Sequence, residues 1–256
     1  MLRQTIDLRQ RLKSLILLVT LLLVTPLSFA DNWRELAPGI QYRDLSASVL
    51  NPWSHIHVFR IDLKKNQFDL VMAKQLSQKH ASTDEFARHS DALIAINGGF
   101  FDRDYHSLGL RISNHQQHNP LKRISWWGIF YIKGQKPHLS GPRQFRHDRN
   151  IDFALQSGPR LLVDGQIPPL KPGIAERSAL GITSNNDVII LVTDNTPMTT
   201  KTLAELMKSP PLNCKDALNL DGGSSSQLTA NIGSFQLNVH GFSNISDAVI
   251  VRPRLP

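Results

Sequence analysis

Residues 217–228 read ALNLDGGSSSQL. A short apolar run stops at Asp221, Gly222 and Gly223, and Ser224, Ser225 and Ser226 follow. A plain turn needs one glycine. Two in succession let the backbone come close to something and open positive φ values. Residues 91–99, DALIAINGG, repeat the plan: an apolar run closed by Asn97, Gly98 and Gly99, with Phe100 and Phe101 beyond. The run at 92–96 predicts a central strand buried on both faces. Either bend alone reads as an ordinary tight turn. Two strand ends with the same Asx-Gly-Gly close predict a shared site. Successive amides there would form an anion-binding nest, with Asp221 at its lip and the serines adding hydroxyl donors.

Outward from these bends the pattern is mostly short strands. Residues 55–63 alternate loosely, and 67–73 read as their hairpin partner across Lys64, Lys65 and Asn66. Further strands are predicted at 108–113, 125–133, 151–155, 235–239 and 248–251. Residues 161–163 turn at Asp164-Gly165, a hairpin signal, and 179–183 with 188–193 flank a second hairpin turn. Helices are predicted at 82–90, where Ser82 and Glu85 have capping-box spacing, and at 200–208, stopped by Pro210-Pro211. The polar segments 114–124 and 134–150 read as surface loops. Many hairpins and few helices predict an α+β domain with a mixed, largely antiparallel sheet core and a few flanking helices.

The first thirty residues read as a secretory signal peptide. Arg9, Arg11 and Lys13 precede an apolar run at 15–24, Pro26 breaks it, and Ser28 and Ala30 supply small residues before a cleavage point after Ala30. The run is shorter than the roughly 20 residues of a spanning helix; the alternative is an uncleaved anchor, the one route to a membrane. One domain then fills 31–256, a length suited to a single core. The leader holds four of the 29 basic residues and one of the 21 acids, so the remainder carries +5. That charge fits an anionic substrate or ordinary solubility, and the absence of a basic cluster with interleaved aromatics argues against nucleic acid. Cys214 is the only cysteine, so an exported form has no internal disulfide. The sequence points to a periplasmic or secreted protein and gives no oligomeric state.

Four stretches come in order: AINGGFF (95–101), LQSGPRLLVDG (155–165), ERSALGI (176–182) and LNLDGGSSSQL (218–228). Together they resemble the phosphodiester glycosidase family, whose eukaryotic member is N-acetylglucosamine-1-phosphodiester α-N-acetylglucosaminidase. The resemblance runs from about residue 56 to 251. It implies an α+β domain that hydrolyses a sugar–phosphodiester linkage, with site clusters at Asn97, Gly98, Gly99 and Phe100, at Ser157 and Gly158, at Arg177, and at Asp221, Gly222 and Gly223. Ser224 stands where the family often has a third glycine.

That chemistry assigns tasks. Breaking the sugar carbon–oxygen bond releases a phosphate monoester with added negative charge. An arginine and oriented amides stabilise such charge where it develops. Arg177, able to grip phosphate bidentately, is the candidate cation, with the amides of Gly98, Gly99, Gly222 and Gly223 and the hydroxyls of Ser224 and Ser225 beside it. Asp221 is the candidate carboxylate, to attack the anomeric carbon or activate water. Asp102, Glu176 and Asp194 are candidate partners, Asp194 preferred for its place at a strand end. Glycosidases with two carboxylates set them about 5–5.5 Å or 6.5–9.5 Å apart. His55 and His57 share a strand face without a third metal ligand. The Asp102-Arg103-Asp104 run is no EF-hand loop, and of Trp126 and Trp127 at most one can stack a sugar. No metal or cofactor is called for. The rival to a hydrolase is a non-catalytic module that binds an anionic glycan, or an envelope-associated structural protein.

Overall fold

Strands whose two faces are both apolar must find cover on both, and this chain provides it by wrapping its three large sheets around one core; a fourth sheet among the described residues has only the strands Ile174–Ala175 and Met198–Thr199. The computed structural model describes residues 33–46 and 52–254; the leader expected at 1–30 and its cleavage point lie outside them. The largest sheet has seven strands in the order Arg34–Ala37, Ile40–Asp44, His55–Ile61, Val188–Asp194, Ser178–Thr183, Cys214–Asn219 and Arg160–Leu162. A five-stranded sheet runs Gln116–Asn119, Arg111–Ser113, Ile151–Ser157, Gly128–Lys133, Lys136–Ser140. A second five-stranded sheet runs Phe235–Val239, Leu228–Ile232, Ile94–Asn97, Asp247–Pro253, Asn66–Met72.

The inner faces meet in one cluster. Phe59, Ile190 and Leu218 come from the first sheet, Phe130, Phe153 and Leu155 from the second, and Ile94, Ile96 and Val249 from the third. Period-two alternation sends the other residues outward, where each sheet has its own cover. Helix α1 (Thr83–Ser90) lays Phe86 and Ala87 against Ala95 and Ala248. Helix α2 (Thr200–Lys208) lays Leu203, Ala204 and Met207 against Val58, Ile189 and Ala217. Phe145 covers Ile112 and Ile129. The capping box at α1 forms as its spacing requires: Ser82 Oγ accepts from the Glu85 amide (3.3 Å), and Glu85 Oε2 from the Ser82 amide (2.8 Å).

Pairing is antiparallel throughout the named strands, so among the described residues the mixed component expected of the sheet is missing and the fold is largely β with two α-helices. The expected hairpin between 55–63 and 67–73 does not form. His55–Ile61 pairs with Ile40–Asp44 and Val188–Asp194, whereas Asn66–Met72 pairs with Asp247–Pro253 in another sheet. The link between them is a corner at which Asn66 Nδ2 donates to the carbonyls of Pro38 and Gly39 (3.1 and 3.2 Å). Both strands place phenylalanine into the shared core, Phe59 and Phe68, so facing across the core satisfies the same apolar pattern as pairing side by side. The polar segments expected as loops contain the strands Gln116–Asn119 and Lys136–Ser140. Both are edge strands, whose polar faces blur the apolar signal. The Asp164-Gly165 turn forms with positive φ at both residues, but its arms close by a single bridge, and Arg160–Leu162 pairs with Cys214–Asn219 instead.

Candidate functional site

Each of the three large sheets contributes one strand end to the same place. Ile94–Asn97 delivers the Asn97-Gly98-Gly99 bend, Cys214–Asn219 leads into Asp221-Gly222-Gly223, and Ile151–Ser157 leads into Gly158. Backbone bonds tie them. The Asp221 amide donates to the Gly98 carbonyl (3.2 Å), the Leu220 amide to Ser178 (2.8 Å) and the Asn219 amide to Pro159 (3.0 Å). Asn97, fully buried, is the knot. Its Nδ2 donates to the Asp221 carbonyl (2.7 Å), and its Oδ1 accepts from Ser178 Oγ (2.6 Å) and the Gln227 amide (3.2 Å). Asn219 Nδ2 donates to the Gly158 carbonyl (3.0 Å). The two bends, 124 residues apart, therefore lie side by side.

Three of the four glycine amides are already engaged and do not form the open nest that the glycines suggested. Gly98 N–H is given to the Asp247 carbonyl (2.9 Å), Gly223 N–H to the Glu176 carbonyl (2.8 Å), and Gly222 N–H to Oδ1 of Asp221 (3.1 Å). Glycine is required here for room. A Cβ on Gly98 would stand 1.8 Å from Asp247 Oδ1, and one on Gly99 would stand 2.7 Å from the Gln156 carbonyl and 2.8 Å from Arg111 Nη2.

Burial raises the Asp221 carboxyl to about 6, and the negative charge of Asp247 adds to the rise; hydrogen bonds from Ser225 and the Gly222 amide, and the Arg111 charge, pull the other way. A carboxyl with that affinity exchanges its proton near neutrality, as an acid–base group must.

Arg177 is buried, and its Nε donates to the Met198 carbonyl (2.8 Å) and its Nη2 to the Gly173 carbonyl. These bonds occupy the Nε edge of the guanidinium fork, so an incoming anion meets the Nη1 end, which lies toward Gly222. Burial lowers the proton affinity of Arg177, yet a guanidinium keeps its charge. Among the described residues no carboxylate pairs with it. Arg177 lines a cavity of about 530 Å³ together with Phe100, Trp126, Gly158, Asn219 and Gly222. Trp126 is half exposed while Trp127 is buried beneath it, edge to face with ring centroids 5.8 Å apart. The expected strand at 125–133 begins only at Gly128, and the turn before it leaves Trp126 exposed as the one of the pair able to stack a ligand. Asp221 is not part of the cavity lining and stands one residue from its Gly222 wall.

The remaining candidates separate. Ser157 is buried, its hydroxyl without a partner among the described residues; Ser225 is buried and Ser224 exposed. Asp194 is not brought to this place: it stands opposite His55 in the strand register and accepts a hydrogen bond from Asn195. Its neighbour Thr193 faces the site instead, accepting the Arg177 amide on its hydroxyl (2.7 Å). Glu176 turns its carboxylate to Thr193 and the Thr196 amide. Asp102 lies in an exposed turn with Asp104 and His106. The His55 and His57 rings stack, with Nδ1 atoms bound to Asp44 (2.6 Å) and the Tyr42 hydroxyl (2.8 Å); His57 is buried.

Two residues under the bends were missed from the sequence: Arg111 and Asp247, a fully buried ion pair at 3.1 Å. Arg111 lies between Leu110 and Ile112, and strict alternation reads it as the solvent face. Asp247 heads a strand that is buried through Val251, and a charge at such a position is the one available clue.

Residues 90–252 match the phosphodiester glycosidase family model. Over 125 residues the chain is 32% identical to the uncharacterized protein YigE of Escherichia coli (strain K12), covering 44% of this chain and 49% of that one, so the match spans about half of that relative. The structure is similar to the catalytic domain of zebrafish N-acetylglucosamine-1-phosphodiester alpha-N-acetylglucosaminidase auto-inhibited by its pro-peptide, at 18% identity, TM-score 0.63 and 86% of each chain. It is also similar to a hypothetical protein from Synechocystis, at 15% identity, TM-score 0.62, 87% of this chain and 63% of that one. Identities this low speak for the fold alone. The family model spans more than half of the sequence and includes both glycine bends, and the chain belongs to the phosphodiester glycosidase family.

Proposed function

We propose that this protein is an exported hydrolase that cleaves glycosyl phosphodiester linkages in envelope glycans or related conjugates. One observation carries the reading: Asp221, whose carboxyl is raised to about 6, precedes Gly222, which lines a cavity with Arg177, a buried cation that has no carboxylate partner among the described residues. In this mechanism the diester lies in the cavity with its sugar against Asp221. Ionised Asp221 attacks the anomeric carbon, forming a glycosyl ester that water then cleaves to release the sugar and restore the carboxylate, or it takes a proton from a water that attacks that carbon directly. The bond from that carbon to the phosphate oxygen breaks, the electron pair leaves with the phosphate, and Arg177 meets the added charge through Nη1. Trp126 offers a stacking face to a ring in the cavity. Asp194, Asp102 and Glu176 take no part, so the reading rests on one carboxylate.

The test is turnover of purified protein on a panel of sugar-1-phosphodiesters, with and without chelator. Activity is expected on at least one α-linked N-acetylglucosamine diester, abolished by Asp221→Asn with folding intact. No turnover on any member, with glycan binding retained in Asp221→Asn, would establish the binding module instead. Export is checked by the intact mass of the protein recovered outside the cytoplasm, which should begin at Asp31.

A further inference from the structure

Arg111 and Asp247 belong to different sheets and are joined beneath the first glycine bend. Asp247 Oδ2 accepts from Arg111 Nε (3.1 Å), Ser107 Oγ (2.5 Å) and Ser246 Oγ (2.8 Å). Its Oδ1 is buried against the Gly98 backbone with no partner among the described residues. Arg111 spends its remaining donors on backbone carbonyls, Nη1 on Gln156 (3.0 Å) and Nη2 on Phe100 (3.3 Å). The Asp247 carbonyl takes the Gly98 amide, and the Gly98 carbonyl takes the Asp221 amide.

A buried ion pair is a poor way to gain stability, because desolvation offsets most of the attraction and well-packed apolar residues do as well or better. This pair leaves one carboxylate oxygen unserved, which worsens the balance. What it does supply is geometry and charge. It grips the carbonyl after Gly99, abuts the Cα of Gly98, and through Gly98 fixes the backbone from which Asp221 projects.

We infer that Arg111 and Asp247 are positioning residues for Asp221: the pair sets where the Asn97–Gly99 bend lies and places two opposite charges to act on the Asp221 carboxyl. The inference rests on the proposed role of Asp221 for its effect on catalysis, but not for its effect on Asp221 itself. The groups acting on that carboxyl are Asp247, Arg111, the Ser225 hydroxyl and the Gly222 amide. Removing the negative charge should ease ionisation of Asp221, and removing the positive charge should hinder it.

The experiment follows the Asp221 side-chain carboxyl by carbon-detected NMR titration of the whole protein, in wild type, Asp247→Asn and Arg111→Gln, with Asp221→Asn to assign the signal. The midpoint is expected to move down in Asp247→Asn and up in Arg111→Gln, and the acidic limb of the pH–rate profile to move with it. Displacement of the bend should also lower kcat/KM about 100-fold with KM nearly unchanged. The neutral pair Arg111→Gln/Asp247→Asn serves if either single variant fails to fold. It removes both influences, and its midpoint should stay within a few tenths of a pH unit of wild type while kcat still falls. Midpoints that move the same way in both single variants, or a double variant with wild-type kcat, overturn the inference. Opposite shifts in a protein without turnover would sustain the inference about Asp221 and reject the hydrolase reading.

Discussion

Asp221 sets function against stability within one side chain. Its carboxyl binds a proton more tightly in the folded protein, at about 6, than in the unfolded chain, where an aspartate titrates near 3.8. Between those values the folded state holds more protons, so stability falls as pH rises through them and is not regained above. The cost is on the order of 3 kcal/mol at pH 7 and above. Asp221→Asn should therefore melt higher than wild type at pH 8 and lose that advantage below pH 4, while hydrolysis disappears. An equal melting temperature at pH 8 would contradict the raised affinity. The same affinity requires wild-type kcat/KM to climb through pH 6 and level off, since the ionised form acts. Arg177→Lys should fold less stably, because lysine cannot serve Met198 and Gly173 while facing the cavity. Its kcat/KM should fall about 10- to 100-fold, in line with the worth of a hydrogen bond to a charged group; unchanged kinetics would remove Arg177 from the phosphate site. The sequence made Asp221, Asn97 and Arg177 visible because each sits in a motif of unusual local composition. It concealed Arg111 and Asp247 because their meaning lies in one contact across 136 residues. Asp194 misled for a simpler reason: a strand end presents two faces, and Thr193, on the face that α2 covers, meets the Arg177 amide while Asp194 alternates to the face of His55 and His57.

At the scale of the element, the two bends look alike in sequence and use their glycines differently. Gly98 lies on the Asp247 carboxylate and carbonyl, and an added methyl would be 1.8 Å from one and 3.0 Å from the other. Gly98→Ala should cost at least about 3 kcal/mol, the upper end for overpacking, and the protein should be recovered largely unfolded. Gly222 has an extended backbone that any residue adopts, and a methyl there would be 3.0 Å from the Glu176 carbonyl and 3.8 Å from Arg177 Nη1. Gly222→Ala should fold with a loss of about 1 kcal/mol yet lower kcat/KM at least tenfold by intruding on the cavity wall. Thermal melts and steady-state rates on the same preparations separate the two; a Gly98→Ala variant as stable as wild type would show that the bend is not seated on Asp247. The helices were legible because Ser82 and Glu85 announce a capping box, and α2 ends ahead of consecutive prolines. The partner of His55–Ile61 was not, because loop length suggests a hairpin whereas the shared core rewards facing strands just as well.

For the whole molecule, the strand content and the one heavily buried core followed from alternation, but the division into three sheets did not. Alternation says that a face is apolar without saying which other face it meets. Ile96, Leu155 and Leu218 carry the same pattern and belong to three sheets that converge on one cluster. The site occupies the seam at one end of that convergence, and its hydrogen bonds join segments that the sheets alone would leave independent: Asp221 to Gly98, Ser178 to Asn97, Asn219 to Gly158. If those bonds are as integral as their burial indicates, the seam opens only when the core does. Amide hydrogen exchange tests this directly. The amides of Leu220 and Asp221 should exchange with the same opening free energy as those of Ile190 and Leu180 in the centre of the seven-stranded sheet, and that energy should equal the global unfolding value. Thermal unfolding of a Trp33→Phe/Trp53→Phe variant, followed by circular dichroism and by tryptophan emission, should then coincide in one transition, since the two tryptophans that remain, Trp126 and Trp127, report on the seam and the strands on the core. Faster exchange at Leu220 and Asp221, or an earlier change in tryptophan emission, would mean that the bends open while the sheets stay closed, and a site that opens alone could not hold Asp221 desolvated.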